Sequence, residues 1–303
     1  MKPKMLLIGG FPWSATSPLV YTLQRYTKYA HFGYTKQFKY LITTGRSASS
    51  RNIFDIYEHV CNGTWENYMS DEPATHRMNL TVDLEPLRDF PVTHFTRLMT
   101  GDHTISKYMD FYHALHDHVI TKGYKSVGDC YMGYKISRDD LREFYDTLQS
   151  EFDVKVLVIA RDPVRRAFSE YLYRKLKTPQ PFEVINYMRA INRFQSIFDD
   201  VHVTVMEELW EGDAKKELSE FLNTTVTDLW KNLYSPDRGH LVQFDKDVPC
   251  QAFGQELEEL TIDKYNSFKD RHQGVYDSWK DYYGSLPMQW GQPLDYKFSY
   301  WHI

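Results

Sequence analysis

Apolar and polar positions along this chain follow two periods, and the points where one replaces the other mark its elements. Met5 to Ile8 and Val154 to Ala160 are short, almost wholly apolar runs, the second rich in β-branched residues. That pattern suits strands covered on both faces of a parallel sheet. Val201-His202-Val203-Thr204-Val205 alternates and predicts a further strand, which leads into Met206-Glu207-Glu208-Leu209 and an amphipathic helix through Leu218, Phe221 and Leu222. Helical spacing at Leu19, Leu23 and Tyr26 predicts a helix from Leu19 to about Tyr29. The stripe Tyr108, Phe111, Tyr112, Leu115 and Val119 predicts another from Ile105 to Ile120. Pro179 and Pro181 break the chain before helical periodicity resumes from Val184 to Phe198, and a last helix is expected from Leu257 to Trp279. Residues 45–51 read as a loop, a short helix is expected beyond Asn52, and residues 64–91 as irregular, lid-like or acceptor-binding structure. Strands alternating with helices predict an α/β domain with a parallel sheet and helices on both faces.

Two junctions in this pattern carry candidate chemistry. After Ala160 the strand gives way to a helix within two residues, which leaves Arg161 at the strand's carboxyl end. Asp162 can cap the helix, and Pro163 suits its first position. Ligands of open α/β sheets collect outside the carboxyl ends of the strands, so Arg161 is placed to meet one. Arg165 and Arg166 fall in the helix's first turn, where the macrodipole disfavours cations without an anion nearby, and Ser169 lies two turns in. The alternative is an amphipathic helix with Arg161 in a structural ion pair. The second junction is Gly9-Gly10-Phe11-Pro12-Trp13-Ser14-Ala15-Thr16-Ser17-Pro18, between the first strand and the first helix. Such a loop can cradle an anion with backbone N–H groups and the helix dipole. It lacks the lysine of G-x-x-x-x-G-K-[ST], which disfavours a plain ATPase or kinase loop. A strand-to-helix turn with no ligand is the alternative here.

Composition narrows the classes. The 303 residues suffice for one large α/β domain, and the 42% hydrophobic and 25% charged fractions are ordinary for a globular chain. No apolar run approaches the roughly 18 residues that cross a bilayer. The start, Met1 to Ile8, is too short for a signal peptide, so no membrane partner and a cytoplasmic location are expected. Cys61, Cys130 and Cys250 form no CxxC pair and point to a reducing compartment. A net charge of −5 argues against nucleic acid as partner. His113, His116 and His118 do not share one helical face and lack the His-Glu-x-x-His pattern, so no metal site is expected. His94 and His103 are isolated, and either could act as a general base if folded into the cleft.

The segment Arg161-Asp162-Pro163-Val164-Arg165-Arg166-Ala167-Phe168-Ser169-Glu170-Tyr171 resembles the 3′-phosphate-binding segment of sulfotransferases that use 3′-phosphoadenosine 5′-phosphosulfate (PAPS), most of all the carbohydrate and heparan branch. By that resemblance, Arg161 and Ser169 hold the 3′-phosphate. Pro12, Trp13, Ser14, Ala15, Thr16 and Ser17 take the place of the family's 5′-phosphosulfate loop. Trp13 stands where a Lys or Arg usually does and Ala15 where a glycine usually does, which leaves Ser14, Thr16 and Ser17 as donors. The branch carries Lys-Glu-x-x-x-Phe after the first helix, with the Glu as general base. Here Lys36-Gln37-Phe38-Lys39-Tyr40 aligns, so an amide that cannot take a proton at neutral pH occupies the base position, and Lys36 is the candidate to replace the missing loop cation. Gly128-Asp129 stands where relatives carry Gly-Glu-Lys-Ser/Thr-Pro-x-Tyr. Asp129, expected at a strand end facing the cleft, is the leading candidate for the missing carboxylate, with a turn cap as the alternative. Arg238-Gly239 resembles the late loop that closes over the adenine and 3′-phosphate, although an ordinary turn is equally compatible. The resemblance covers residues 4–40 and 125–225 in pieces.

The resemblance implies a single sulfotransferase-like domain over residues 1–303, with a P-loop-like central parallel β-sheet flanked by helices and a C-terminal extension at 236–303. The implied reaction moves the sulfuryl group of PAPS to a hydroxyl or amine of a carbohydrate or small-molecule acceptor, leaving 3′-phosphoadenosine 5′-phosphate (PAP), and requires no metal. One alternative is a P-loop-like nucleotide or sugar kinase, which would need magnesium with ATP. The other is a catalytically inactive PAPS- or PAP-binding protein, favoured by Trp13 and Gln37.

Overall fold

A computed structural model of the chain describes residues 2–11, 14, 16–33, 85–99, 104–131, 136–167, 170, 184–211, 213–226, 262–287 and 290–292. Its centre is a parallel sheet of β1 (Lys4–Gly10), β2 (Ala30–His31), β3 (Ser126–Tyr131), β4 (Asp153–Ala160) and β5 (Val201–Val205), in the order β2-β3-β1-β4-β5. The register runs from Met5 opposite Val127 to Gly9 opposite Tyr131, with Ala30 opposite Ser126. Flanking helices are α1 (Thr16–Arg25), α2 (Val92–Met99), α3 (Ile105–Ile120), α4 (Arg138–Glu151), α5 (Tyr187–Gln195), α6 (Met206–Glu211), α7 (Ala214–Leu222) and α8 (Ile262–Tyr283). The apolar runs behave as a parallel sheet requires: along β1 only Lys4 is exposed, and β4 is buried from Val156 to its end. Among the described residues, no helix is long and apolar enough to cross a membrane.

The chain forms two compact units, one of residues 1–9, 17–157 and 195–201, the other of residues 10–16, 158–194 and 202–303. In the first, Thr104 caps α3 by accepting the Lys107 N–H at 3.3 Å, and the five stripe residues Tyr108, Phe111, Tyr112, Leu115 and Val119 are all buried. Ser137 caps α4 and buries Leu141, Phe144, Tyr145 and Leu148 behind it, a helix that the strand-centred sequence pattern did not include. α1 stops at Arg25 instead of continuing to Tyr29. The Thr27 hydroxyl donates to the Leu23 carbonyl at 2.8 Å and accepts the Tyr29 N–H at 3.1 Å, while Lys28 turns left-handed at φ 47°. These local bonds compete with another helical turn and deliver the chain into β2. Gly128 on β3 leaves room for the Phe32 ring, which a Cβ there would meet at 2.7 Å.

The histidines of α3 have local roles. His113 stacks on Phe152 with centroids 4.4 Å apart, and His118 Nε2 lies 2.8 Å from the Pro86 carbonyl and 3.4 Å from Asp89.

In the second unit, α7 ends at Asn223 in the left-handed region, φ 47°. α8, predicted as Leu257 to Trp279, is observed from Ile262 to Tyr283, and it buries Tyr265, Val275, Tyr276 and Trp279.

Candidate functional site

The second unit holds the Arg161 junction and residues 10–16 of the other. Gly10, at the end of β1, lies so close to β4 that a Cβ would meet the Ile159 carbonyl oxygen and Cγ2 at 3.2 Å. Only glycine allows that backbone approach without displacing β4. Phe11 then stacks on Tyr187 of α5, with centroids 4.0 Å apart and planes 16° from parallel. The Tyr187 hydroxyl donates to the Arg161 carbonyl at 2.9 Å. One tyrosine therefore joins the start of the loop after β1 to the residue that follows β4. Ser14 lies within this loop, its N–H turned back on the Phe11 carbonyl at 3.3 Å. Its side chain is completely buried, and its hydroxyl makes no hydrogen bond among the described residues.

Asp162 caps the helix at residues 163–167, as its side-chain Oδ1 accepts the Arg165 N–H at 2.9 Å. Its other oxygen accepts the Tyr265 hydroxyl at 3.1 Å, the Tyr276 hydroxyl at 3.0 Å and the Gly291 N–H at 3.0 Å. Glu207, the second residue of α6, accepts the Asp162 N–H at 3.0 Å and the Trp290 indole N–H at 3.0 Å. Arg165 stands 3.8 Å from Glu207, and Arg166 pairs with Glu170 at 2.8 Å.

Arg161, Arg165, Arg166, Asp162, Glu170 and Glu207 are thus all buried in one region. Charges there are costly unless compensated. Burial is the largest influence on Arg161 and lowers its pKa from 12.5 to about 10, against Glu207, which raises it. The guanidinium remains a cation at neutral pH. Burial likewise raises Glu207 above the usual carboxylate range, helped by Asp162 and opposed by Arg165 and Arg161. An anion arriving beside Arg161 would favour its charged form. A buried cation at a strand end and a buried hydroxyl in the neighbouring loop fit a phosphate-like group, and PAPS carries such groups.

Of the residues singled out in the sequence, Arg161 and Ser14 fall together in this unit, and Thr16 opens α1. Asp129 is on β3 in the other unit, two positions before the strand ends, buried, with its Oδ2 accepting the Tyr108 hydroxyl at 2.9 Å. Ser17 is in α1. Pro12, Trp13, Ala15, Lys36, Gln37, Ser169, Arg238 and Gly239 lie outside the described residues. Tyr187, Tyr265, Tyr276 and Gly291 were not anticipated as site neighbours. Glu207 was visible only as part of the segment after β5.

No family model matches the chain, and no curated protein does. Solved structures with a similar outline include a sulfotransferase from Alicyclobacillus acidocaldarius, 14% identical over 96% of this chain and 100% of that one, at a TM-score of 0.47. The sulfotransferase domain of the Synechococcus PCC 7002 olefin synthase is 15% identical over 94% of this chain and 97% of that one, at 0.46. A retinol dehydratase in complex with androsterone and the inactive cofactor PAP is 9% identical over 97% and 84%, at 0.42. At such identities and TM-scores these are similarities of outline, and the chemistry has to be argued from the site's own residues.

Proposed function

We propose that this chain is a PAPS-dependent sulfotransferase. The observation that carries the reading is Arg161, a guanidinium buried immediately after a parallel strand. The Arg161–Tyr171 motif and the loop after β1 identify the anion it would meet. Bound PAPS would supply an activated sulfuryl group with PAP as its leaving group. Arg161 and Ser169 hold the 3′-phosphate, and residues 12–17 hold the phosphosulfate, Ser14 through its hydroxyl. Arg238 and Gly239 close over the nucleotide. Lys36 supplies the cation missing at Trp13. Asp129 is the proposed carboxylate that orients the acceptor's hydroxyl or amine, since Gln37 cannot take its proton. Fixed cations and donors, not a covalent intermediate, would carry most of the rate. The acceptor class is a carbohydrate or another small molecule, in a cytoplasmic setting without a metal.

The reading is tested by calorimetric titration of PAP into the protein without magnesium, with ATP as the comparison. Tight, 3′-phosphate-dependent binding of PAP is expected. Preference for ATP with magnesium would replace this reading with the kinase one, and binding of PAP without turnover across an acceptor panel would point to a non-catalytic binding protein.

A further inference from the structure

We propose that α8 and residues 290–292 are a positioning part of the Arg161 site, acting through the carboxylates of Asp162 and Glu207. The inference rests on the anion-site reading of Arg161 and names what holds that residue in place.

The peptide between Arg161 and Asp162 is held at both of its polar groups. Its carbonyl accepts the Tyr187 hydroxyl at 2.9 Å, and its N–H donates to Glu207 at 3.0 Å. Glu207 is in turn held by the Trp290 indole at 3.0 Å. The Trp290 ring packs 4.5 Å from Trp279, 6.0 Å from Tyr187 and 6.4 Å from Tyr276. The turn that carries it is fastened to α8 by Lys269, whose ammonium donates to the Gly291 carbonyl at 2.7 Å. Asp162 Oδ2 has two lone pairs and takes three donors from the segment: Tyr265, Tyr276 and Gly291. An oxygen saturated in this way is held in one place. The arm therefore fixes both acids that flank the Arg161–Asp162 peptide, and with them the backbone from which Arg161 projects. Removing the phenols loosens Asp162 and that peptide, and the site then loses affinity for a 3′-phosphate in particular.

The test compares wild type with Tyr265→Phe/Tyr276→Phe, and separately with Trp290→Phe, which keeps an aromatic ring in the cluster if the double variant does not fold. Each protein is titrated with PAP and with AMP, which lacks the 3′-phosphate. PAP affinity is expected to fall roughly ten-fold in each variant, with AMP affinity unchanged. Unchanged PAP affinity, or an equal loss for PAP and AMP, would each overturn the proposal. Failure of wild type itself to bind PAP would instead overturn the sulfotransferase reading, so the two failures are separable.

Discussion

Asp129 and Asp162 make a useful pair. Each is an almost fully buried carboxylate, each accepts a tyrosine hydroxyl, and each belongs to a different unit of the chain. Around Asp129 stand the phenols of Tyr108 and Tyr112, with rings 4.6 Å apart and both hydroxyls held well above their ordinary pKa by burial first and by Asp129 second. Around Asp162 stand phenols as well, but also Arg161, Arg165 and Arg166. Burial and phenols are common to both acids; what sets the Asp162 region apart is its buried cations.

Alkali should give the largest effect and strike both units. Tyr29 in the first unit and Tyr283 in the second are pushed from 10.0 to about 12, chiefly by burial, and Tyr187, Tyr265 and Tyr276 move in the same direction. Between pH 10 and 12 the unfolded chain releases phenolic protons that the folded one keeps, so stability falls as pH rises. Arg161 acts with the opposite sign, because its folded pKa near 10 lies below the 12.5 of the unfolded chain. One such group does not offset several phenols. Denaturant melts across this range should show a steep decline, and a flat profile would mean that the tyrosines are not buried as described.

The arginine site can be separated from the rest by substitution. Arg161→Ala should weaken PAP binding by about 2–3 kcal/mol in calorimetry, and Arg161→Lys should restore only part of it, since lysine lacks the planar fork. Affinity unchanged in Arg161→Ala would remove the distinction between the two acids. In the other unit, Gly128→Ala should cost about 1–3 kcal/mol of stability, because its Cβ would stand 2.7 Å from Phe32. Its PAP affinity should stay within about two-fold. Smallest is Ser137→Ala, which removes the cap of α4 at an expected cost of about 1 kcal/mol, read as a shift in denaturant midpoint with unchanged slope.

How far these features were legible depends on how local their causes are. The stripe on α3 was readable residue by residue because one helix face meets one core. β1, β4 and β5 stood out as apolar or alternating runs. β2 has only two residues and so no period to detect. α4 did carry signals, Ser137 three residues before Asp140 and an apolar stripe at Leu141, Phe144, Tyr145 and Leu148, which a search for caps would have found. At the site, the switch from strand to helix around Arg161, Asp162 and Pro163 was visible in consecutive residues. The donors that saturate Asp162 are 103, 114 and 129 positions away, and no local pattern can announce them.

The interleaving of the two units bears on how the chain can be made. The first unit is not finished by its own long stretch up to residue 157; it also needs residues 195–201, where the Asp200 carbonyl accepts the Val156 N–H at 2.8 Å and the Asp200 carboxylate meets Lys155 at 3.1 Å. On a ribosome, that unit cannot close until the segment after α5 has emerged, by which time the Arg161 junction is already outside the exit tunnel. A nascent chain stalled before residue 195 would display β4 with this partner still missing, the kind of exposed strand that chaperones hold. Truncations designed to isolate either unit as one contiguous stretch should fail for the same reason.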